Sequence, residues 1–359
     1  MDAIRIDVQT RSHPYPVLVG EGLASRLSGL LDEHVAARRF VVSNPTVWRF
    51  HGRAVSAGAR TEPILVPDGE RFKNLPTVAR IYEALIRAGA DRAAAIVTLG
   101  GGVVGDMAGF AAATYLRGIG LAHVPTTLLA QVDASVGGKV GVNHPLGKNL
   151  IGAFYQPSLV VIDPAVLATL PRREFRSGLY EAIKYGVALS ADVFARISRD
   201  MTAIFARNPE VLVSLVAECC RLKAAIVAAD EREAGPRRVL NYGHTAGHAI
   251  EVITKYRRFR HGEAVAYGML VAADLSVARG LLADDARQAL VRLIGQLGPL
   301  PPIGDLSAGQ IIETMGLDKK VVDGRLHFVL SPGIGTTTIA DDVSEEELEA
   351  ALRRVGFSA

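Results

Sequence analysis

The residues best suited to chemistry lie between Leu240 and Met269, in the run LNYGHTAGHAIEVITKYRRFRHGEAVAYGM. His244 and His248 stand four apart among helix formers, which puts both rings on one helix face, with Glu251 a turn further along. His261 follows a basic loop in His-Gly-Glu. Three of the chain's nine histidines fall within these eighteen residues beside carboxylates, a grouping that suits a divalent metal. A helical histidine pair by itself is equally at home on an ordinary helix surface or in a satisfied core. The His-Glu-x-x-His arrangement of zinc peptidases is excluded, because Thr245 stands where the water-activating Glu belongs.

Glycine-rich stretches offer a second chemistry. Gly100-Gly101-Gly102-Val103-Val104-Gly105 fits Gly-x-Gly-x-x-Gly where an apolar run gives way to a helical pattern, so backbone N–H groups at a helix N-terminus can take a pyrophosphate. The acidic residue expected about 20 positions on is replaced by His123-Val124-Pro125-Thr126-Thr127, so the cofactor geometry must differ from the usual dinucleotide fingerprint. Asp106 at that helix start is either part of the site or a cap. Between Gln131 and Asn149 a lysine twice follows glycine, at Gly138-Lys139 and Gly147-Lys148, in a stretch suited to holding an anion. Walker A spacing is absent, which favours a small-molecule phosphate or carboxylate over a nucleoside triphosphate. Glu70 and Lys73, in the turn after Val66, read alone as a solvated loop. Glu181 and Lys184, sharing a helix face, read alone as a surface ion pair.

These residues need elements to hold them. Residues 4–8, 17–19, 40–43, 64–66, 94–99, 121–124 and 159–162 read as strands with amphipathic stretches between most of them. Such alternation predicts an α/β fold, a doubly wound sheet of parallel βαβ units with ligands gathered at the strand C-termini. After Thr169-Leu170-Pro171 the pattern turns to long helices, which predicts a domain boundary there, with a sheet domain over 1–171 and a mainly helical one over 172–359. Residues 93–115, whose only charge is Asp106, have the length of a membrane span, but five glycines make them a buried strand, a tight loop and a packed helix. Residues 317–330 read as a hairpin turning at Asp323-Gly324, with His327 structural, and Ser344 to Glu347 read as a capping box.

Composition fits this reading. A chain of 359 residues, 49% hydrophobic and 21% charged, is that of a two-domain globular enzyme. A net charge of +3 is too small to argue for nucleic acid. The N-terminus alternates like a strand and lacks the apolar core of a secretory signal, so cytoplasm is the expected compartment. Adjacent Cys219 and Cys220 exclude a disulfide framework and read as reduced structural thiols.

Taken together, the motifs resemble the 3-dehydroquinate synthase family of the shikimate pathway, among the sugar-phosphate cyclases. The resemblance is carried by Gly100 to Asp106 with Gly109-Phe110, Arg117-Gly118, Pro125 to Leu129, Asp133 to Lys139, Gly147-Lys148-Asn149, Glu181 to Lys184, Asn241 to Glu251, His261-Gly262-Glu263 and Asp318-Lys319-Lys320, and it runs in order from Asp68 to Gly335. It implies a Rossmann-like domain binding NAD and a mainly α-helical domain holding one divalent metal, zinc or cobalt, on Glu181, His244 and His261, with His248 turned to the substrate. Cofactor contacts are implied at Asn44, Glu70, Lys73, Gly101, Gly102, Asp106, Thr126, Thr127, Asp133, Lys139, Lys148 and Thr169. The family's substrate, 3-deoxy-D-arabino-heptulosonate 7-phosphate, would meet Arg117, Lys139, Asn149, Lys184, Lys223, Arg237, Asn241, His248 and one or both of Lys319 and Lys320. Of these, Lys139, Lys184, Lys223, Arg237, Asn241 and His248 are the implied catalytic residues.

The reaction so implied is a transient oxidation by NAD, β-elimination of phosphate, re-reduction, ring opening and aldol closure to 3-dehydroquinate. That makes a carbon–oxygen lyase with no net NADH. A homodimer is implied, and neither nucleic acid nor membrane is an expected partner. Tyr180 stands where many relatives have Ala, and Asn44 where some have Asp, which would alter a ribose contact. Three rival readings compete. Other sugar-phosphate cyclases use substrates without the carboxylate that Arg237 and Lys223 suit. A metal-dependent polyol dehydrogenase would give the lysine loops no anion to hold. A non-catalytic NAD or phosphate sensor would not require the full set of ligands and cations.

Overall fold

The computed structural model describes residues 3–56, 62–316, 321–322 and 325–359. The apolar runs become β1 (Ile4–Val8), β2 (Tyr15–Val19), β3 (Arg38–Ser43), β4 (Ile64–Leu65), β5 (Ala94–Gly100) and β6 (Gly120–Pro125). A hairpin of β7 (Lys139–His144) and β8 (Gly147–Phe154) precedes β9 (Leu159–Ile162). One sheet runs in the order β1-β2-β9-β6-β5-β3-β4. Only β1 and β2 pair antiparallel; every other neighbour is parallel. All seven strands read from the sequence are in it.

Side chains of the central strands alternate between two cores, as the two-residue period requires. Phe40, Val42 and Ile96 face α3 (Leu75–Arg87) and α4 (Gly102–Thr114), whereas Val41, Ala95 and Val97 face the side covered by α1 (Leu27–His34). From β3 the chain moves outward to β4, then crosses back to β5 and continues the other way through β6 and β9. The strand order therefore reverses between β3 and β5. Loops after those two strands flank the crevice where doubly wound sheets bind their ligands, and they carry Asn44, which starts α2 (Pro45–Ser56), and Gly101-Gly102.

The chain passes between units at Pro171 and twice more beyond it, so a single boundary does not describe it. One compact unit comprises Met1–Pro171 and Ala203–Arg232, the other Arg172–Thr202 and Glu233–Ala359. The second unit thus takes α5 (Arg172–Leu189) and α6 (Ala191–Arg199). After α7 (Met201–Phe205), α8 (Pro209–Ala229) belongs to the first, packed on β1, β2 and the turn Ala130–Ala134. Cys219 and Cys220 lie buried in α8 as thiols, not joined in a disulfide. Burial, against the pull of Lys223, pushes the Cys220 thiol up to about 12, so it is inert near neutrality.

The second unit continues through α9 (His244–Ile253), α10 (His261–Ala278), α11 (Asp284–Gln296) and α12 (Ala308–Gly316). Helix α10 approaches its neighbours at glycines. A Cβ on Gly262 would lie 2.0 Å from the Ser177 carbonyl oxygen of α5, and one on Gly268 would lie 1.8 Å from the Gly243 carbonyl oxygen at the start of α9. Strands β10 (Val321–Val322) and β11 (Arg325–Leu326) pair antiparallel as the predicted hairpin; its Asp323-Gly324 turn and Lys319-Lys320 lie outside the described residues. Strands β12 (Phe328–Gly333) and β13 (Thr336–Ala340) form a hairpin the sequence did not announce, and α13 (Glu345–Val355) opens with the predicted capping box. Among the described residues, no helix is long and apolar enough to cross a membrane.

Candidate active site

In the second unit, α5 carries Glu181 and Lys184, 1% and 2% exposed and paired at 2.6 Å. The surface reading of that pair therefore fails. Burying an ion pair is costly unless further partners meet its oxygens, and two histidines do. Glu181 Oε1 lies 3.5 Å from Nε2 of His244 and 3.5 Å from Nε2 of His261. Those spacings are close to the roughly 3.4 Å that two ligands keep on one tetrahedral zinc with bonds of about 2.05 Å. His244 Nδ1 donates to the Tyr242 carbonyl at 3.1 Å, and His261 Nδ1 donates to Glu251 Oε2 at 3.3 Å. With Nδ1 protonated, both Nε2 lone pairs face a carboxylate oxygen, an acceptor-to-acceptor arrangement that a cation relieves. Burial opposes charge on His261, but Glu251 and Glu181 outweigh it and push the ring up to about 9, so near neutrality and without a metal a second proton on Nε2, toward Glu181, takes the place a cation would fill. The pocket draws positive charge, so its residues fit a divalent metal.

His248 lies a turn beyond His244 on α9, ring centroids 5.3 Å apart, and is not in the Glu181 cluster. Arg237 is buried in the turn Pro236–Asn241, and Asn241 Nδ2 donates to Glu233 Oε1 at 3.0 Å. Glu233 holds a left-handed φ of 59°, a conformation that favours glycine and is retained where surrounding structure demands it. Sequence reasoning passed over Glu233, and noted Glu251 only as a neighbour. Nothing in either local run marks it as a partner of a site residue.

The first unit gathers a polar group at its strand ends. Lys73, only 5% exposed, reaches Asp106 Oδ2 at 2.5 Å and Asn149 Oδ1 at 2.6 Å, which overturns the solvated-loop reading. Asp106 is no cap, since the N-cap of α4 is Gly101 and it makes no side-chain cap bond. Burial raises the Asp106 carboxyl, and the Lys73 ammonium pulls it down. Asn143, between the two glycine-lysine pairs, donates through Nδ2 to Glu70 Oε1 at 2.8 Å and accepts from the Asn149 N–H at 3.0 Å. Lys148 Nζ stands 3.7 Å from the same Glu70 oxygen. Lys223 of α8 donates to the Asp133 carbonyl and carboxylate at 2.6 and 2.8 Å.

Other predicted residues lie around this group. Asn44 caps α2 through Oδ1 and donates to Asp68 at 3.2 Å. Thr127 Oγ1 accepts from the Ala130 N–H at 3.2 Å, and Thr169 Oγ1 lies 2.8 Å from His51 Nε2. Lys139 stands exposed at the start of β7, and Arg117 sits in left-handed backbone at φ 68°. The cradle fits a dinucleotide on two counts. The Thr126 hydroxyl is buried with no hydrogen-bond partner among the described residues. A Cβ on Gly101 would come within 2.9 Å of Thr127, where the first turn of α4 leaves N–H groups for a phosphate.

A doubly wound sheet unit and a helical unit with a Glu-His-His cluster define the class, that of sugar-phosphate cyclases. A 2-epi-5-epi-valiolone synthase from Streptomyces hygroscopicus subsp. jinggangensis 5008, solved with NAD+ and Zn2+ bound, is 28% identical over 98% of this chain and 99% of its own, with TM-score 0.89. A 2-deoxy-scyllo-inosose synthase complexed with carbaglucose-6-phosphate, NAD+ and Co2+ is 26% identical over 98% and 100%, with TM-score 0.87. Family profiles described as 3-dehydroquinate synthase N-terminal and C-terminal match residues 63–177 and 178–321. A 3-dehydroquinate synthase from Geotalea uraniireducens (strain Rf4) is 49% identical over 96% of this chain and 98% of its own. The chain belongs to the 3-dehydroquinate synthase family.

Proposed function

We propose that the chain converts 3-deoxy-D-arabino-heptulosonate 7-phosphate to 3-dehydroquinate and phosphate, in the cytoplasm, using NAD and one zinc or cobalt ion. The observation that carries this reading is the donor set of buried Glu181 with half-buried His244 and His261, lying in one unit with the buried cations Lys184 and Arg237. A neutral polyol offers those cations no anion, whereas a sugar acid phosphate brings two. Glu181, His244 and His261 would hold the metal, which would supply polarisation of vicinal hydroxyls, and NAD would supply a reversible hydride acceptor.

The chain's own residues supply the rest. Arg237 offers a planar fork for the substrate carboxylate, and Lys184 a compact charge beside Glu181. His248 is the residue to hold or move a proton, and Asn241, kept in place by Glu233, orients a hydroxyl. In the first unit, Lys139, Asn149, Lys223 and Arg117 are assigned to substrate oxyanions. Lys73, Asp106, Thr126 and the Gly101-Gly102 turn are assigned to NAD, with Asn44, Glu70, Thr127, Asp133, Lys148 and Thr169 around them. For assembly we propose a homodimer through the β7–β8 hairpin, where Leu146, Leu150 and Phe154 are 86%, 44% and 43% exposed. Light scattering on Phe154→Glu should then report monomer where the natural chain reports dimer.

The activity test gives metal-replete protein NAD and the heptulosonate phosphate, follows phosphate release and identifies the product by NMR. Dehydroquinate and phosphate with no net NADH is the expected result. Phosphate absent while heptulose 7-phosphate yields a carbocycle would assign the chain to another cyclase reaction. A polyol producing NADH would make it a dehydrogenase.

A further inference from the structure

The His261-Gly262-Glu263 triplet does more than supply a ligand. Glu263, 1% exposed, accepts the Arg260 N–H at 2.8 Å and so caps α10. Its two oxygens also take the fork of Arg173, Nε to Oε1 at 2.8 Å and Nη2 to Oε2 at 2.7 Å. The same guanidinium donates to the Arg258 carbonyl at 2.6 Å, in the loop that leads into α10. Four residues along α5, Ser177 Oγ accepts the Gly262 N–H at 3.0 Å. Four residues further stands Glu181, facing His261. Residues at this spacing share one helix face, so three turns of α5 meet Glu263, Gly262 and His261 one after another.

We propose that the Arg173–Glu263 pair is a positioning device for the metal centre, fixing the register of α10 on α5 and with it the 3.5 Å separation of His261 Nε2 from Glu181 Oε1. The proposal rests on reading that cluster as a metal site. Neither residue is a ligand, and the pair acts only through geometry. A slip of one residue moves a helix by about 1.5 Å, whereas metal–ligand distances tolerate about 0.2 Å. A second charged contact, Arg260 Nε to Glu174 Oε1 at 2.6 Å, joins the same two segments, but its ends are 49% and 35% exposed; the bidentate pair closes on a buried carboxylate with directional stiffness enough to resist small slips, and the glycine contact beside it leaves no slack.

Two variants test it. Glu263→Gln keeps an oxygen to cap Arg260 but loses the charged fork, and Arg173→Lys keeps the charge without the fork. Zn2+ affinity is measured by competition with a chromophoric chelator, the coordination geometry by the visible spectrum of Co2+, and NAD affinity as a control on the first unit. Glu263→Gln should bind Zn2+ about 10- to 100-fold more weakly, with an altered Co2+ band and NAD affinity unchanged. Arg173→Lys should fall between it and the natural chain, and the double variant should bind no more weakly than Glu263→Gln alone. Natural affinity and natural Co2+ band in both variants, even with a lowered melting temperature, would show a purely structural pair and overturn the proposal alone. Should Glu263→Gln fail to fold, Arg173→Lys, altered at the half-exposed end of the pair, decides the matter by the same readouts. If the natural chain takes up no divalent ion, the metal-site reading falls and the proposal with it.

Discussion

Two residues show how a buried polar atom carries information about what a fold binds. The Thr126 hydroxyl has no partner within the described structure, so Thr126→Val removes an atom that costs the ligand-free chain and serves only a ligand. Its melting temperature without NAD should stay level or rise, while the NAD Kd rises about 2- to 10-fold, the worth of one net hydrogen bond. A stability loss above about 1 kcal/mol would instead mean that the hydroxyl already serves the fold. His123 sits in β6 with Nδ1 2.8 Å from Thr98 Oγ1, and burial lowers its ring to about 4. The unfolded chain takes a proton there below pH 6.5, whereas the folded chain declines it until about pH 4. The residue's share of stability is therefore complete above pH 6.5 and is lost as pH falls through that window, by up to about 3 kcal/mol. Urea unfolding between pH 7 and 4 should show a flatter dependence in His123→Gln, and an unchanged slope would sink the argument.

At the scale of elements, the donor cluster exists because α5, α9 and α10 touch at backbone distance. Gly268→Ala would press a methyl into the Gly243 carbonyl oxygen, a rigid backbone atom at the start of the helix that carries His244. Overpacking of this severity should cost about 3 kcal/mol or more and lower metal affinity together with stability; a denaturant midpoint like that of the natural chain would show that the helices can part without loss. The parallel strands were legible because each is a mainly apolar run between turn residues, and the histidine helix because its spacing survives any context. The β7–β8 hairpin was not, since Gly138, Gly141, Gly147 and Gly152 break the alternation that Val140, Val142 and Ile151 would otherwise show. Nor was the ladder from Arg173 to Glu263 legible, because nearly ninety residues separate the partners and only the helix packing unites them. Lys73 taken alone likewise reads as a surface lysine, because Asp106 of α4 and Asn149 of β8 meet it only through the fold.

For the whole molecule, the instructive element is α8, which follows the first helices of the second unit in sequence yet belongs to the first by contact. What holds it there is specific. Lys223 binds both the carbonyl and the carboxylate of Asp133, Cys220 Sγ approaches the Gln131 carbonyl at 3.3 Å, and the helix lies on β1 and β2. Helix α8 should therefore share the fate of the first unit rather than of its sequence neighbours. A ligand at about a hundred times its Kd stabilises what it binds by roughly 2.7 kcal/mol, enough to slow amide exchange through a cooperative unit. Hydrogen exchange read by mass spectrometry should show NAD slowing peptides from 1–171 and 203–232 together. Chelation of the metal should speed those from 172–202 and 233–359. Peptides of α8 that answer to chelation and ignore NAD would return the boundary to Pro171 and make the Lys223–Asp133 contact incidental.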